Sequence, residues 1–248
     1  MAEDESRSML GRAALILRAF DEDNPVLDLG ELGVRTGLPA SSLHRIARAM
    51  AAEGLLDHTP GGYAIGTQMW EVGELAPVSL WLREAALPHL STLYEQTGEN
   101  VHLAVLAGTE ALYVGRVTGT SSIPTLSRMG GRLPLHATGV GKALLAGQSE
   151  EWLVRYFRHP RERMTAHTIV DERHLRAEIE ETRGRGWAVT RQEMSLGNVS
   201  IASALPATAG IPPAAVGVVV HTARATENRL SRLVMAAAQA IGRDLESH

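Results

Sequence analysis

The sequence predicts a two-domain α+β protein, in which a small, mostly helical domain precedes a larger domain built on an antiparallel sheet. The chain has 248 residues, 44% of them hydrophobic, which is enough for two buried cores. Its character changes near residue 70, and from residue 100 helical periodicity gives way to alternating strand patterns. We therefore expect a first domain at 1–67, a linker helix at 68–80 and a second domain at 81–248.

Residues 28–57 predict two short helices separated by a tight break. Asp28 is expected to cap the first helix, because its carboxylate can accept hydrogen bonds from the free amides of the first turn. Gly37 is expected to end that helix, since glycine tolerates the left-handed conformation. Pro39 prevents the first helix from continuing. Two helices joined in this way are typical of a helix-turn-helix.

The second of these helices is expected to be capped by Ser41 or Ser42 and to bury one apolar face. That face carries Leu43, Ile46, Ala47 and Met50 at helical spacing. The opposite, solvent-facing side carries Ser41, Ser42, His44, Arg45 and Arg48. In a helix-turn-helix this side enters the major groove of DNA, so we predict that these five residues contact DNA. An ordinary helical hairpin with solvated arginines is the alternative.

The elements around this motif favour the winged form. Short strands at 55–57 and 62–65 are expected to flank a turn rich in proline and glycine, which could reach DNA. An amphipathic helix over 9–20 is expected to precede the motif, with Leu10, Ala14 and Leu17 on one face.

Charge and composition narrow the class of protein. Residues 1–66 contain 6 arginines and 10 acidic residues, and the remainder of the chain is balanced. A nonspecific nucleic-acid binder is usually basic, so DNA contacts must come from a local cluster of cations.

There is no cysteine, which excludes a disulfide framework and thiolate chemistry. No apolar stretch is long enough to span a membrane, so we expect a cytoplasmic protein without membrane contacts.

The linker and the second domain follow in order. A linker helix is predicted at 68–75 and a longer helix at 78–96, in which Pro88 should cause a kink or a break near Ala86. We expect Trp81, Leu82 and Leu87 to be buried where the linker meets the second domain. Strands are predicted at 101–105, 111–117, 123–127, 187–191, 200–205 and 216–221, and helices at 138–146, 150–157, 172–183 and 226–245. Thr226 is expected to cap the last helix.

Five blocks of this sequence, in their order and spacing, resemble the IclR family of bacterial transcriptional regulators. They are LGELGVRTGLPASSLHRIARAMAAEGLL at 29–56, GGYAIG at 61–66, GENVHLAVL at 98–106, GRLPLHATGVGKALLA at 131–146 and GWAVTRQEMSLGNVSIASA at 186–204. The resemblance implies a winged helix-turn-helix joined by a linker helix to a GAF-like effector-binding domain with a central antiparallel sheet. It also implies a homodimer or a dimer of dimers that reads a pseudo-palindromic DNA operator.

The start of the helix at 138–146 is a candidate anion site. Thr138 can cap a first turn that contains Gly139 and Gly141, whose amides are open to a ligand, and the helix dipole favours negative charge there. Gly141 is followed by Lys142, the only lysine in the chain, but the spacing of a P-loop is absent. The alternative is that the two glycines allow tight packing of the helix on the sheet.

The resemblance maps an effector pocket onto residues that differ widely in sequence position: Leu133, Gly139, Val140, Thr190, Asn198, Ser200 and His221. Family effectors are commonly small organic or aromatic acids. The mapped pocket contains no arginine or lysine. A carboxylate would therefore depend on the helix N-terminus and on Asn198, Ser200 or His221.

The sequence contains no recognisable catalytic motif. A Gly-x-Ser-x-Gly elbow is absent. His102, His136 and His221 could in principle converge on a metal, but they lack a close-spaced ligand motif. We therefore predict no catalytic residue, metal or cofactor, and a ligand-responsive DNA-binding transcriptional regulator that senses a small acid and controls a catabolic operon. The alternative is a small-acid-binding protein or enzyme that uses the second domain and does not bind DNA.

Overall fold

The computed structural model of the protein describes residues 8–119 and 122–247. It separates into two compact units, the first ending at Ala76 and the second beginning at Pro77. The predicted linker segment, 68–80, is therefore divided between the two units. In the described ranges no helix combines the length and the apolar character needed to cross a bilayer.

The first unit is a small helical domain with a three-stranded antiparallel sheet. Its helices are α1 (Met9–Arg18), α2 (Leu29–Thr36), α3 (Ala40–Ala52) and α4 (Thr67–Glu74), and its strands are β1 (Val26–Leu27), β2 (Leu56–Thr59) and β3 (Gly62–Ile65). β3 lies between β1 and β2, so the hairpin predicted for the wing is confirmed. β1 was not predicted, because two residues are too short for a periodic signal. In α1 Ile16 is fully buried and the predicted Leu17 packs against the same core, whereas Leu10 is 82% exposed and does not share that face.

The caps of the two central helices differ from each other. Asp28 accepts from the Glu31 amide, and Glu31 accepts from the Asp28 amide, so the predicted cap is confirmed as a capping box. Gly37 ends α2 in the left-handed conformation at φ 67°, as predicted. The prediction that Ser41 or Ser42 caps α3 is wrong. Pro39 is the cap, without a side-chain hydrogen bond, because its carbonyl already accepts from the Leu43 amide and the helix begins at Ala40.

The second unit opens with an irregular helix. Residues Val78–Arg83 form a π-helical turn, which continues as α5 (Glu84–Thr97). Pro88 lies inside α5. The departure from α-helical geometry is the π-helical turn at Val78–Arg83, which lies upstream of the predicted position near residue 86. Leu82 is fully buried, as predicted, but Trp81 is 45% exposed and Leu87 is 58% exposed, so their predicted burial is wrong. One face of a helix can meet the core, and Leu82 lies on that face.

A six-stranded antiparallel sheet forms the centre of this unit. The strands are β4 (Asn100–Ala107), β5 (Glu110–Val117), β6 (Arg132–Pro134), β7 (Ala188–Arg191), β8 (Asn198–Ala204) and β9 (Ala214–His221), in the order β6-β5-β4-β9-β8-β7. β6 was not predicted. The strand predicted at 123–127 is absent, and this segment is irregular. Pro124 cannot donate to a sheet, and the carbonyl of Ile123 accepts from the side chain of Asn100 instead.

The two faces of the sheet carry different side chains. One face presents large aliphatic residues such as Leu103 and Val216 to α5 and the last helix. The other presents small residues such as Ala104, Ala202 and Ala215, so a helix can approach closely. The remaining helices are α6 (Gly139–Ala146), α7 (Glu150–Phe157), α8 (Glu172–Arg185) and α9 (Glu227–Glu246). α6 packs on the small-residue face. Thr226 precedes α9 but forms no side-chain cap, contrary to the prediction.

Candidate functional sites

A cavity lies in the second unit beside the residues that precede α6. It encloses about 420 Å³ of empty space, including its opening to solvent. The lining consists of His102, Tyr113, Thr125, Leu126, Ser127, Leu133, Ala137, Thr138, Thr190, Met194, Ser195, Asn198, Ser200 and Val219.

The strand register explains how residues distant in sequence form the floor of this cavity. Thr190 pairs with Ser200, and Ser200 pairs with Val219, on three neighbouring strands. Directly paired residues point to the same face of a sheet, so these three side chains lie in one row. Val219 pairs in turn with Asn100, and His102 lies two positions further along β4 on the same face.

His102 is the most deeply buried polar group of the cavity. Its Nε2 atom lies 2.7 Å from Ser127 Oγ, which lies 3.0 Å from Thr125 Oγ. Burial lowers the pKa of His102 to about 3, with a smaller contribution from Arg116. Burial also raises the pKa of Tyr113, whose ring meets the His102 ring edge-on. Both groups are neutral near pH 7, so this part of the cavity offers hydrogen bonds without charge.

The single lysine is not part of the lining. Lys142 is fully buried, and its Nζ atom lies 2.7 Å from Glu193 Oε1 and 3.6 Å from Glu178 Oε2. Burial raises the pKa of Glu193, and the adjacent lysine opposes this shift. The cation predicted to follow the glycine pair is therefore used in an internal ion pair.

Four of the seven predicted effector residues line the cavity, namely Leu133, Thr190, Asn198 and Ser200. Gly139 and Val140 are buried in the first turn of α6, next to the lining residue Thr138 but outside the lining. His221 is exposed at the end of β9, where its Nδ1 atom accepts from the Ala223 amide. The structure thus does not bring His221 into the cavity.

The glycines at the start of α6 lie very close to their neighbours. A Cβ atom on Gly139 would lie 2.5 Å from Ser200 Oγ, and one on Gly141 would lie 2.3 Å from the carbonyl oxygen of Leu135. The Thr138 hydroxyl accepts from the Gly141 amide, as the predicted cap requires. This geometry favours the packing explanation of the two glycines, which the sequence left as an alternative.

The sequence did not predict most of the other residues that line the cavity. His102 and Tyr113 could have been found, because alternation along β4 places His102 on the face of Ala104, and Tyr113 is the partner of Ala104 in the register. Residues 125–127 and 194–195 lie in irregular segments, for which the sequence carries no periodic signal.

The three histidines considered as metal ligands are not brought together. His102 contacts Ser127, whereas His136 Nε2 lies 2.8 Å from the carbonyl oxygen of Glu162 and His221 is exposed. Across 8–119 and 122–247, no group of three potential ligands among His, Asp and Glu is placed to hold a metal ion.

The solvent-facing side of α3 forms a separate candidate surface. His44, Arg45, Arg48 and Ala49 line an open groove there. Ser41 is exposed and Ser42 is half-buried in the first turn of the same helix. In the part of the chain that the structure describes, Arg45 and Arg48 form no hydrogen bond or ion pair, so both guanidinium groups are free for an external anion.

Comparisons with known proteins cover both units. Residues 9–60 match the IclR helix-turn-helix domain, and residues 76–246 match the bacterial transcriptional regulator IclR C-terminal domain. The transcriptional repressor IclR of Escherichia coli K12 is 32% identical over 227 residues, which is 90% of this chain and 83% of that protein. The Pca regulon regulatory protein of Pseudomonas putida is 28% identical over 95% of this chain and 82% of its own length.

Among solved structures, an IclR homolog from Microbacterium hydrocarbonoxydans complexed with 4-hydroxybenzoate matches with a TM-score of 0.91 and 28% identity, over 97% of this chain and 100% of that one. The IclR protein of Thermotoga maritima matches with a TM-score of 0.75 and 27% identity, over 95% of this chain and 98% of that one.

Proposed function

This chain belongs to the IclR family of bacterial transcriptional regulators, and we propose that it alters its control of a catabolic operon when a small organic or aromatic acid binds to its second unit. The observation that carries the proposal is the neutral, hydrogen-bonding cavity lined by Thr190, Asn198 and Ser200. Small-molecule sites are typically concave and apolar with a few polar groups that orient the ligand, and the lining of this cavity has that composition. Its DNA target implies that it acts in the cytoplasm.

We assign the DNA contacts to the solvent-facing side of α3. Arg45 and Arg48 are exposed and have no partner among the described residues, and an arginine can contact either a phosphate or the edge of a guanine. Ser41, Ser42 and His44 lie in the N-terminal half of the helix, which meets base edges in this motif. The acidic balance of the first unit supports a specific contact surface over broad electrostatic binding.

Self-association fits this proposal, as a dimer or a dimer of dimers on a pseudo-palindromic operator. A symmetric pair of motifs reads two half-sites one helical turn apart or a multiple of it. Trp70, Val72 and Leu75, in or directly after α4, are each at least 60% exposed. Exposed apolar groups of this size are typical of a surface that another chain covers.

We propose that the acid binds with its carboxylate near Thr190, Asn198 and Ser200. Neutral donors must hold the charge, because the lining, as formed by residues 8–119 and 122–247, contains neither arginine nor lysine. Each hydrogen bond to a charged group contributes about 1.5–3 kcal/mol. Gly139 and Val140 lie outside the lining, so their backbone amides would contribute only to an acid that reaches past Thr138 to the start of α6. His221 would act only through Asn198, its partner in the strand register.

The carbon skeleton of the acid would contact the apolar part of the lining, which includes Leu126, Leu133, Met194 and Val219. His102 and Ser127 provide a neutral polar pair elsewhere in the same cavity. An acid with an aromatic ring and one further polar group would use both. The 4-hydroxybenzoate complex of the Microbacterium homolog supports this class and makes that acid the first probe.

Calorimetry with purified protein tests the proposal. 4-Hydroxybenzoate, benzoate and the aliphatic acid lactate are titrated in turn, and thermal unfolding is followed at 100 times the measured Kd, where stability should rise by about 2.7 kcal/mol. Ser200→Ala is expected to weaken the bound acid by about 1.5–3 kcal/mol. Ser231→Ala is the matched control, since Ser231 is a buried serine of α9 outside the cavity.

DNA binding is measured separately, by gel shift on DNA that flanks the gene of this protein. A bound acid should change the affinity or the pattern of protection. If none of the three acids binds the wild-type protein, the proposed effector class is wrong. Equal weakening in Ser200→Ala and Ser231→Ala would show that the cavity is not the binding site.

A further inference from the structure

The buried ion pair between Lys142 and Glu193 connects two parts of the molecule that both reach the cavity. Lys142 lies on α6, whose capping residue Thr138 lines the cavity. Glu193 lies in the loop at 192–197, and the next two residues, Met194 and Ser195, line the cavity as well. The Lys142 side chain is fully buried and the Glu193 side chain is 7% exposed.

The loop at 192–197 is held in an unusual conformation. Gln192 has φ 59°, and among the described residues it is the only one other than glycine with a positive φ. Its side-chain oxygen accepts from the Gly197 amide at 2.9 Å, which closes the loop. From the other side, Thr165 Oγ donates to the Gln192 carbonyl at 2.7 Å and Thr168 Oγ donates to the Glu193 carbonyl at 2.8 Å.

The ion pair is not an efficient source of stability. Removing two charges from water has a large desolvation penalty, and apolar replacements of similar volume are often neutral or stabilising. Glu193 Oε2 is buried and has no hydrogen-bond partner in the described part of the chain, which adds to the penalty. An ion pair does, however, hold two groups at a defined distance and direction, here 2.7 Å between Nζ and Oε1.

We propose that Lys142 and Glu193 are positioning residues for the effector: their ion pair holds the loop at 192–197 against α6 and thereby places Met194 and Ser195 at the cavity wall. The role is indirect, since neither charged group lines the cavity. Ser195 in turn accepts from the Asn198 side chain at 2.7 Å, so a shift of the loop would reorient a proposed ligand contact. This inference rests on the proposed effector function of the cavity.

The test compares two ways of removing the ion pair between Lys142 and Glu193. The double variant Lys142→Met/Glu193→Leu fills the space with apolar side chains and loses the directional contact, while Glu178, whose side chain is 25% exposed, keeps access to water. We expect it to fold with a similar Tm and to bind 4-hydroxybenzoate at least tenfold more weakly by calorimetry. Glu193→Gln keeps an oxygen that accepts from Nζ, and we expect affinity within about threefold of wild type. If affinity only followed stability, Glu193→Gln would not bind more tightly than the double variant. The expected order therefore separates a positioning role from a loss of stability.

A second ion pair serves as the control. Glu99 is 7% exposed and pairs with Arg224 at 3.2 Å, and neither residue lines the cavity. Glu99→Leu/Arg224→Met should leave the affinity for 4-hydroxybenzoate unchanged. Amide hydrogen exchange of residues 193–197 provides a measurement without ligand. It should rise in Lys142→Met/Glu193→Leu and remain at the wild-type rate in Glu193→Gln and in the control.

The outcomes separate this inference from the proposed function. Unchanged affinity in the folded Lys142→Met/Glu193→Leu variant overturns the inference. If that variant does not fold, Thr168→Val is measured instead, because it removes the hydroxyl that donates to the Glu193 carbonyl. Wild-type affinity for 4-hydroxybenzoate in Thr168→Val then overturns the inference. If the wild-type protein does not bind 4-hydroxybenzoate, the proposed effector is wrong. The positioning role is then decided by amide exchange alone: it is overturned if residues 193–197 exchange no faster in the double variant than in wild type.

Discussion

The close contact between Gly139 and Ser200 leads to a prediction about how α6 packs on the sheet. In Gly139→Ala the new Cβ atom would lie 2.5 Å from Ser200 Oγ and 3.1 Å from Ser200 Cβ. Non-bonded carbon atoms prefer about 3.5–4.0 Å, so helix and strand must separate locally. Overpacking of this kind costs about 1–3 kcal/mol.

A second glycine provides the matched control for the change in helix propensity. Gly184 lies in α8, and a Cβ atom there would meet nothing within 4 Å. Gly184→Ala should therefore stabilise the protein by about 0.5–1 kcal/mol. The difference between the two variants isolates the contact with Ser200 and should be at least about 1–3 kcal/mol.

Urea unfolding monitored by circular dichroism measures this difference. Ser200→Gly removes both crowded side-chain atoms, so the Gly139→Ala/Ser200→Gly variant should recover part of the loss, and a double-mutant cycle should show coupling of about 0.5–3 kcal/mol. If Gly139→Ala is as stable as Gly184→Ala, or if the cycle shows no coupling, then Gly139 is not required for packing and its role must be sought at the ligand.

Three further predictions concern the cap, the buried histidine and the DNA surface. Asp28→Ala should destabilise the first unit by about 0.5–2 kcal/mol in urea unfolding, because it removes the capping box of α2, and an unchanged midpoint would contradict this. The pKa of His102 is about 3 in the folded protein and 6.5 ordinarily, so the unfolded chain gains a proton first as pH falls below 6.5. Wild type should lose up to about 1.4 kcal/mol per pH unit from this group between pH 6 and 4, and His102→Gln should lose less; equal acid sensitivity of the two proteins in urea unfolding would refute the assignment. Arg45→Ala and Arg48→Ala should each weaken operator binding. Loss of a phosphate contact lowers the salt slope by about one, whereas loss of a base contact costs about 1–3 kcal/mol at one base position. Unchanged gel shifts in both variants would exclude α3 as the recognition helix.

Sequence patterns predicted local structure well where one element could be recognised alone. Asp28 and Gly37 bound α2 because caps depend on a few adjacent residues. The buried face of α3 followed from the spacing of Leu43, Ile46 and Met50. Ser41 and Ser42 were misassigned as caps, since the helix begins at Ala40, directly after Pro39. Trp81 and Leu87 were expected to be buried because they are large and apolar, but α5 and its π-helical turn present a different face to the core.

The candidate cavity depended much more on tertiary structure. Leu133, Thr190, Asn198 and Ser200 could be proposed from the family resemblance, and all four line the cavity. Ser127 and Met194 could not be proposed as lining residues, because both lie in irregular segments without a periodic signal. The resemblance also pointed to His221, whose side chain instead caps the turn after β9.

The sequence by itself determined the local elements of this protein and, through five motifs in order, the family to which it belongs. Periodicity and capping act over a few residues, so they can be read along the chain. Tertiary structure alone decided which side chains share the cavity and that the single lysine, Lys142, is paired with Glu193 beneath it. Lys142 and Glu193 are 51 positions apart, and the cavity lining runs from His102 to Val219, so both depend on strand register and loop backbone that no local pattern encodes.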